Sequence, residues 1–271
     1  MKSSAINVTG VFDDLRSSDL RFLEEVSKLG EVTIRLWSDE LASIKLGTKP
    51  KLPLAERQYL LGAIRFVTVV CPAQNENEAL PGRGDQKGVW AVRESAPERP
   101  SIESVCTTSR IQCHVFTDDA LAGFPESKIS TAKTQRKKVI VTGCYDWFHS
   151  GHVRFFEEVS AYGDLYVVVG HDANIRLLKG AGHPMFPAAE RRYMVGSVRF
   201  VTQALISTGD GWLDAEPEIE RIKPDIYAVN QDGDKGGKRA FCHAHGIEYL
   251  VLERTPAPGL PKRSSTDMRG F

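Results

Sequence analysis

The sequence predicts an α/β protein made of two tandem doubly wound, Rossmann-like domains, each built on a parallel sheet. Three observations carry that reading. The chain repeats itself, short apolar runs alternate with segments of helical period, and its 271 residues suit two modest cores better than one large one.

The repeat comes first, because it sets the domain count. Gly10-Val11-Phe12-Asp13 and Arg21-Phe22-Leu23-Glu24-Glu25-Val26-Ser27 return as Gly143-Cys144-Tyr145-Asp146 and Arg154-Phe155-Phe156-Glu157-Glu158-Val159-Ser160, each 133 residues later. Glu56-Arg57-Gln58-Tyr59 and Arg65-Phe66-Val67-Thr68 return as Glu190-Arg191-Arg192-Tyr193 and Arg199-Phe200-Val201-Thr202, 134 residues later, so a single insertion separates the two registers. Lys128-Ile129-Ser130-Thr131 parallels Arg263-Ser264-Ser265-Thr266 at the end of each half. The chain therefore reads as a tandem duplication, with a first repeat over 1–126, a Ser/Thr/Lys-rich linker over 127–137 and a second repeat over 138–271. Pro81–Pro100, rich in Gly, Pro and charge, reads as a long surface loop.

In the second repeat Lys138–Thr142 ends in Val-Ile-Val-Thr and predicts a buried strand, and Val153, Phe156, Val159 and Tyr162 place a helix over Gly151–Tyr162. Strands follow at Leu165–Val169, Val201–Ile206, Ile226–Val229 and Glu248–Leu252. Helices fall near Ala173–Leu178, Ala188–Val198, Asp214–Ile222 and Lys238–His245. Strands apolar on both faces, interleaved with helices, describe a parallel sheet covered on both sides, with ligands expected beyond the carboxyl ends of its strands.

Composition bounds the partners. Hydrophobic residues make up 41% and charged residues 26%, and no run approaches the roughly 18 apolar residues of a membrane span, so no membrane span is expected. The N-terminus lacks the apolar core of a signal peptide, which points to the cytoplasm. Lys plus Arg equal Asp plus Glu at 35 each, leaving no overall field to gather a nucleic acid. Five cysteines without C-x-x-C spacing suggest neither a disulfide framework nor a zinc site.

The chemistry concentrates in Gly143-Cys144-Tyr145-Asp146-Trp147-Phe148-His149-Ser150-Gly151-His152, which follows the first strand of the second repeat and opens into a helix. Two imidazoles three residues apart at a helix N-terminus share a face with the unpaired backbone N–H groups there, and Gly151 lets a phosphate approach closely. This run resembles the G-x-F-D-x-x-H-x-G-H signature of the cytidylyltransferase branch of the nucleotidyltransferase superfamily. Lys179-Gly180, Glu190-Arg191 with Val195 and Val201, and the closing Arg263-Ser264-Ser265-Thr266 are similar to the family's other segments, in the same order.

The resemblance implies that His149 and His152 stabilise charge on the α-phosphate and that Lys179 contacts phosphates of both substrates. It implies that Gly143, Cys144, Tyr145, Asp146 and Gly151 line the phosphates, and that Arg191, Arg263, Ser265 and Thr266 hold the nucleotide. The implied reaction joins CTP to a small phosphorylated alcohol or amino alcohol, with Mg²⁺ as cofactor and release of pyrophosphate. An adenylyltransferase using ATP on a sugar phosphate, and a non-catalytic nucleotide-binding regulator, are the alternatives. Lys179 could instead be a solvated surface lysine, and Arg191 could pair with Glu158 or Glu190. Arg263 stands closer to Ser265 than the family arginine does, and Arg254-Thr255 offers a second Arg-Thr, so either arginine could meet the phosphates. Trp212 could receive the acceptor's ammonium group or be a buried structural tryptophan, and Asp232 could hold the acceptor or sit on a solvated turn.

In the first repeat the two histidines become Arg16 and Asp19, Gly151 becomes Ser18 and Lys179 becomes Leu46. A carboxylate at that helix end repels phosphate. The first repeat is therefore expected to keep the fold without the catalysis and to serve as the built-in partner of a pseudo-dimer, with a homodimer of such chains also open.

Overall fold

Short Val/Ile/Leu-rich runs, too brief for helices and bounded by Gly and Asp, fold as parallel strands in a computed structural model that describes residues 5–79, 88–126 and 134–265. The chain divides into two units, 1–123 and 124–270.

In the first unit the strands are β1 (Ala5–Gly10), β2 (Glu31–Trp37), β3 (Val69–Ala73), β4 (Val89–Arg93) and β5 (Gln112–Phe116). The helices are α1 (Ser17–Ser27), α2 (Asp39–Leu46), α3 (Leu54–Gly62), α4 (Glu76–Ala79) and α5 (Arg99–Ser109). The sheet order is β3-β2-β1-β4-β5. The surface loop expected over 81–100 is corrected here, since β4 and the start of α5 lie within it. In Val89-Trp90-Ala91-Val92 the last three residues are buried, with Trp90 at 0% exposure, and the Gly, Pro and charges on either side hide this short apolar run.

In the second unit the strands are β6 (Lys138–Gly143), β7 (Asp164–Val169), β8 (Val201–Ile206), β9 (Ile226–Asn230) and β10 (Glu248–Leu252). The helices are α6 (Ser150–Ser160), α7 (Asp172–Lys179), α8 (Ala188–Gly196), α9 (Glu216–Ile222) and α10 (Lys238–Ala244). The order β10-β9-β6-β7-β8, counted from the first strand of the unit, is the same 3-2-1-4-5 as in the first unit.

Alternation along the strands sorts the core into two layers. Val139, Val141, Leu165, Val167, Ile226 and Ala228 face Phe155, Phe156 and Val159 of α6 and Val195 of α8. Ile140, Val168, Tyr227 and Val229 face Ile219 and Ile222 of α9 and Cys242 of α10. The crossover from β6 to β7 covers one face and the crossover from β9 to β10 the other, so the sheet has a switch point between β6 and β9. These strands pair only at Val139↔Ile226 and Ile140↔Tyr227 and then part, opening a crevice at their carboxyl ends. No helix among the described residues is long and apolar enough to cross a membrane.

Candidate phosphate-handling site

The crevice between β6 and β9 is where the motif arrives. Beyond Gly143 the chain turns through Tyr145, a non-glycine residue at φ +55°, a conformation that costs about 1–2 kcal/mol. The turn folds the tyrosine ring back over Gly143, where a Cβ would stand 2.8 Å from it, so only glycine fits. Asp146 closes the turn by accepting from the backbone N–H groups of Met185 (2.7 Å) and Phe186 (3.1 Å). Asp13 makes the matching pair of contacts with Lys51 and Leu52 in the first unit. The Asp146 side chain thus ties the loop before α8 to the turn that follows β6.

His149 is the N-cap of α6, and its Nδ1 accepts from the N–H of Gly151 at 3.1 Å. With Nδ1 an acceptor, the ring proton sits on Nε2. His152 stacks on it, with ring centroids 4.0 Å apart, and Phe148 (5.7 Å, stacked) and Tyr145 (5.2 Å, edge-on) enclose the second imidazole. The structure brings the two histidines together as expected, but His149 is only 1% exposed. Part of the reason is the closing segment: the carbonyl of Arg263 lies 3.3 Å from where a Cβ on Gly151 would be. Nδ1 of His152 is shielded from solvent and has no hydrogen-bond partner among the described residues. Burial, followed by the charges or dipoles of His149, Arg254 and Lys179, pushes the His152 pKa well below the ordinary imidazole value. The ring is therefore neutral at pH 7.

That electrostatic coupling locates two cations near His152. Lys179 is exposed at the end of α7. Arg254, just beyond β10, pairs with Asp232 and donates to the Arg263 carbonyl at 3.2 Å, while its Nε is buried and unbonded among the described residues. Of the two arginines left open by the sequence, Arg254 has a charge that bears on His152. Arg263 contributes its carbonyl, Ser265 sits at the end of the described chain, and Thr266 lies outside the described residues. Asp232 is exposed but engaged by Arg254.

Cys144 is half-buried, and burial raises its thiol pKa. Its carbonyl, not its side chain, carries the close contact, because it accepts from Arg191 at 2.6 Å. Arg191 requires a second correction. At 1% exposure it donates to the carbonyls of Phe186 (2.8 Å), Cys144 and Gly170 (2.8 Å) and to the carboxylate of Asp172 (2.7 Å), and not to Glu158 or Glu190. Arg57 does the same in the first unit, with Leu52, Val11, Trp37 and Asp39 as acceptors. A side chain whose donors are directed at backbone carbonyls in both units, one of them lacking the histidines, is a structural clamp.

Trp212 is 55% exposed, so the reading of a buried structural tryptophan falls away. Its indole lies against Gly237, where a Cβ would come within 3.0 Å of the ring. The turn that carries it is held by Asn174, whose side chain donates to the Gly211 carbonyl (3.0 Å) and accepts from the Gly211 N–H (2.9 Å). Sequence reasoning passed over Asn174 because its partners are backbone atoms of a turn 37 residues away.

A family model described as cytidylyltransferase-like matches residues 140–269. An FAD synthase of Ferroglobus placidus is 38% identical over 119 residues, covering 43% of this chain and 74% of that protein. An FAD synthase of Methanocella paludicola is 31% identical over 135 residues, covering 49% of this chain and 93% of that protein. The bifunctional protein HldE of Geobacter metallireducens is 33% identical over 116 residues, covering 42% of this chain but only 22% of that protein.

Proposed function

This chain belongs to the cytidylyltransferase-like family of nucleotidyltransferases, and from that premise we propose that its second unit transfers an adenylyl group from ATP to a small phosphorylated acceptor. An acceptor phosphate oxygen attacks the α-phosphorus, the bond to the β-phosphate oxygen breaks, and pyrophosphate leaves. The observation that carries the reading is the stacked His149/His152 pair at the start of α6, with the cations Lys179 and Arg254 in range.

The choice of ATP rests on the relatives. FAD contains an AMP group, so an enzyme named for making FAD handles an adenine nucleotide. CTP, suggested by the signature and by the family's description, is the competing donor. A flavin phosphate is the first acceptor to test, with sugar phosphates and ethanolamine phosphate beside it. The exposed face of Trp212 suits a planar or cationic acceptor.

Such a transfer asks little covalent work of the protein. Positioning and donors aimed at developing charge supply the rate. His149, with its proton on Nε2, and neutral His152 are suited to donate hydrogen bonds to α-phosphate oxygens. Lys179 and Arg254 balance the charge of the leaving pyrophosphate. The triphosphate would displace the Arg263 carbonyl from Gly151 to reach the helix N-terminus. Among the described residues no group of three or more His, Cys, Asp or Glu side chains is placed to hold a metal. Magnesium is therefore proposed to arrive on the triphosphate, where it would neutralise charge, and no step is routed through it.

The test is to incubate the full chain with magnesium, ATP or CTP, and a panel of flavin mononucleotide, sugar phosphates and ethanolamine phosphate. Pyrophosphate is measured and the conjugate identified by mass. An AMP conjugate is expected, and His152→Ala should lower kcat/KM by about 10²–10³. A CMP conjugate would overturn the donor assignment, and pyrophosphate from neither nucleotide would overturn the activity.

A further inference from the structure

The first unit, which lacks the histidines, holds a cavity of about 640 Å³ at the same place in its own sheet. β1 pairs with β4 only at Ile6↔Val89 and Asn7↔Trp90, then parts from it while staying paired with β2 to Gly10↔Leu36. The opening lies at the carboxyl ends of the strands, where doubly wound sheets take ligands. Its volume falls within the range of small-molecule sites.

What lines the cavity excludes the ligand of the second unit. Asp19 accepts from the N–H of Arg16 at 2.9 Å and so occupies the N-terminus of α1, the position that a phosphate would need. Arg93, one of the two cations in the lining, is held by Asp19 at 2.9 Å and lies over the Phe22 ring. The other, Lys45, is paired with Glu76. Against these two cations stand five carboxylates, those of Asp13, Asp14, Asp19, Glu76 and Glu98.

Glu98 differs from the other four. Asp13 is tied to backbone N–H groups, Asp14 to Arg16, Asp19 to Arg93 and Glu76 to Lys45. Glu98 makes no ion pair among the described residues: its carboxylate accepts from its own backbone N–H and feels the charges of Arg93 and Asp19 without bonding to either. It stands half-buried at the start of α5, where burial raises its pKa. The walls beside it include Phe12, Phe22 and Trp37. The indole N–H of Trp37 is engaged by Thr9 Oγ1 at 2.7 Å, so Trp37 can offer the cavity only its ring.

We propose that this cavity binds a small amine, its ammonium group on Glu98 and its apolar body among Phe12, Phe22 and Trp37. Aromatic faces and an unpaired carboxylate are the groups that recognise an organic cation. The site is distinct from the nucleotide chemistry of the second unit, and its test reads binding, so it stands or falls apart from turnover.

Titrate the full chain with 2-phenylethylamine, with the uncharged 2-phenylethanol, and with ATP, following heat or saturation-transfer NMR. The amine should bind saturably and more tightly than the alcohol, and Glu98→Gln should weaken the amine about tenfold or more while leaving the alcohol unchanged. Ser101→Trp, which places an indole in the lining from an exposed position on α5, should abolish amine binding without changing the melting temperature. The proposal is overturned if the amine shows no saturable binding, if either substitution leaves its affinity unchanged, or if ATP competes with it.

Discussion

Replacing Arg191 by lysine separates a clamp from a nucleotide ligand. The guanidinium donates to three backbone carbonyls at 2.6–2.8 Å, that of Gly170 fully buried and those of Phe186 and Cys144 partly so, and to Asp172 at 2.7 Å. An ammonium on a lysine stem reaches one or two of these acceptors and lacks the planar fork that serves all four. At about 1–3 kcal/mol for each buried acceptor left unsatisfied, and with a weakened pair to Asp172, the second unit should lose about 3–5 kcal/mol. A chain of two units need not unfold in one step. The measurement is therefore hydrogen exchange in urea, read by mass spectrometry on peptides from each unit separately. Peptides of β6, β7 and α8 should lose protection at lower urea, while those of the first unit hold. Arg57→Lys should produce the mirror result, sparing the second unit and the nucleotide affinity. If Arg191→Lys left protection unchanged and instead raised the KM for the nucleotide tenfold, the clamp assignment would be wrong.

Two further outcomes follow from the histidine pair. Burial holds His152 well below its ordinary value of 6.5, so the unfolded chain takes up that proton first. Its contribution to stability is full above about pH 6.5 and is lost as pH falls from there towards the folded-state pKa. Between pH 7.5 and 5.5 the second unit of the wild type should lose more urea resistance than that of His152→Asn, and equal losses would exonerate this ring. Gly151→Ala places a Cβ 2.9 Å from the His149 ring and 3.3 Å from the Arg263 carbonyl. It should cut kcat about tenfold or more through misplacement alone, with circular dichroism unchanged; undiminished turnover would show that the helix start tolerates displacement.

Much of the second unit was readable because its signals are local. Val139–Val141 and Leu165–Val169 are apolar on both faces, and the spacing of Val153, Phe156 and Val159 fixes the buried side of α6. The His149/His152 pair was legible for the same reason. What escaped depends on backbone atoms and on distance in the chain. Arg191 looks like any arginine on a helix until Cys144 and Gly170, 47 and 21 residues away, turn their carbonyls towards it. β4 escaped because Val89–Val92 is shorter than the polar stretches around it, although Trp90 is wholly enclosed. That Arg254, just past β10, reaches the Arg263 carbonyl and acts on His152 at the start of α6 is set by the fold, and no motif spacing encodes it.

The clamp has a consequence for how a substrate would be met. Arg191 fastens the segment after β6, the end of β7 and the approach to α8 to one rigid, planar group. These loops form the rim beside the histidines, and they are fixed before any nucleotide arrives. An incoming molecule then surrenders mainly its own freedom on docking, because the protein has little left to freeze. A rim set in this way should favour fast capture and a short stay, the kinetic character that suits a catalyst better than a storage site.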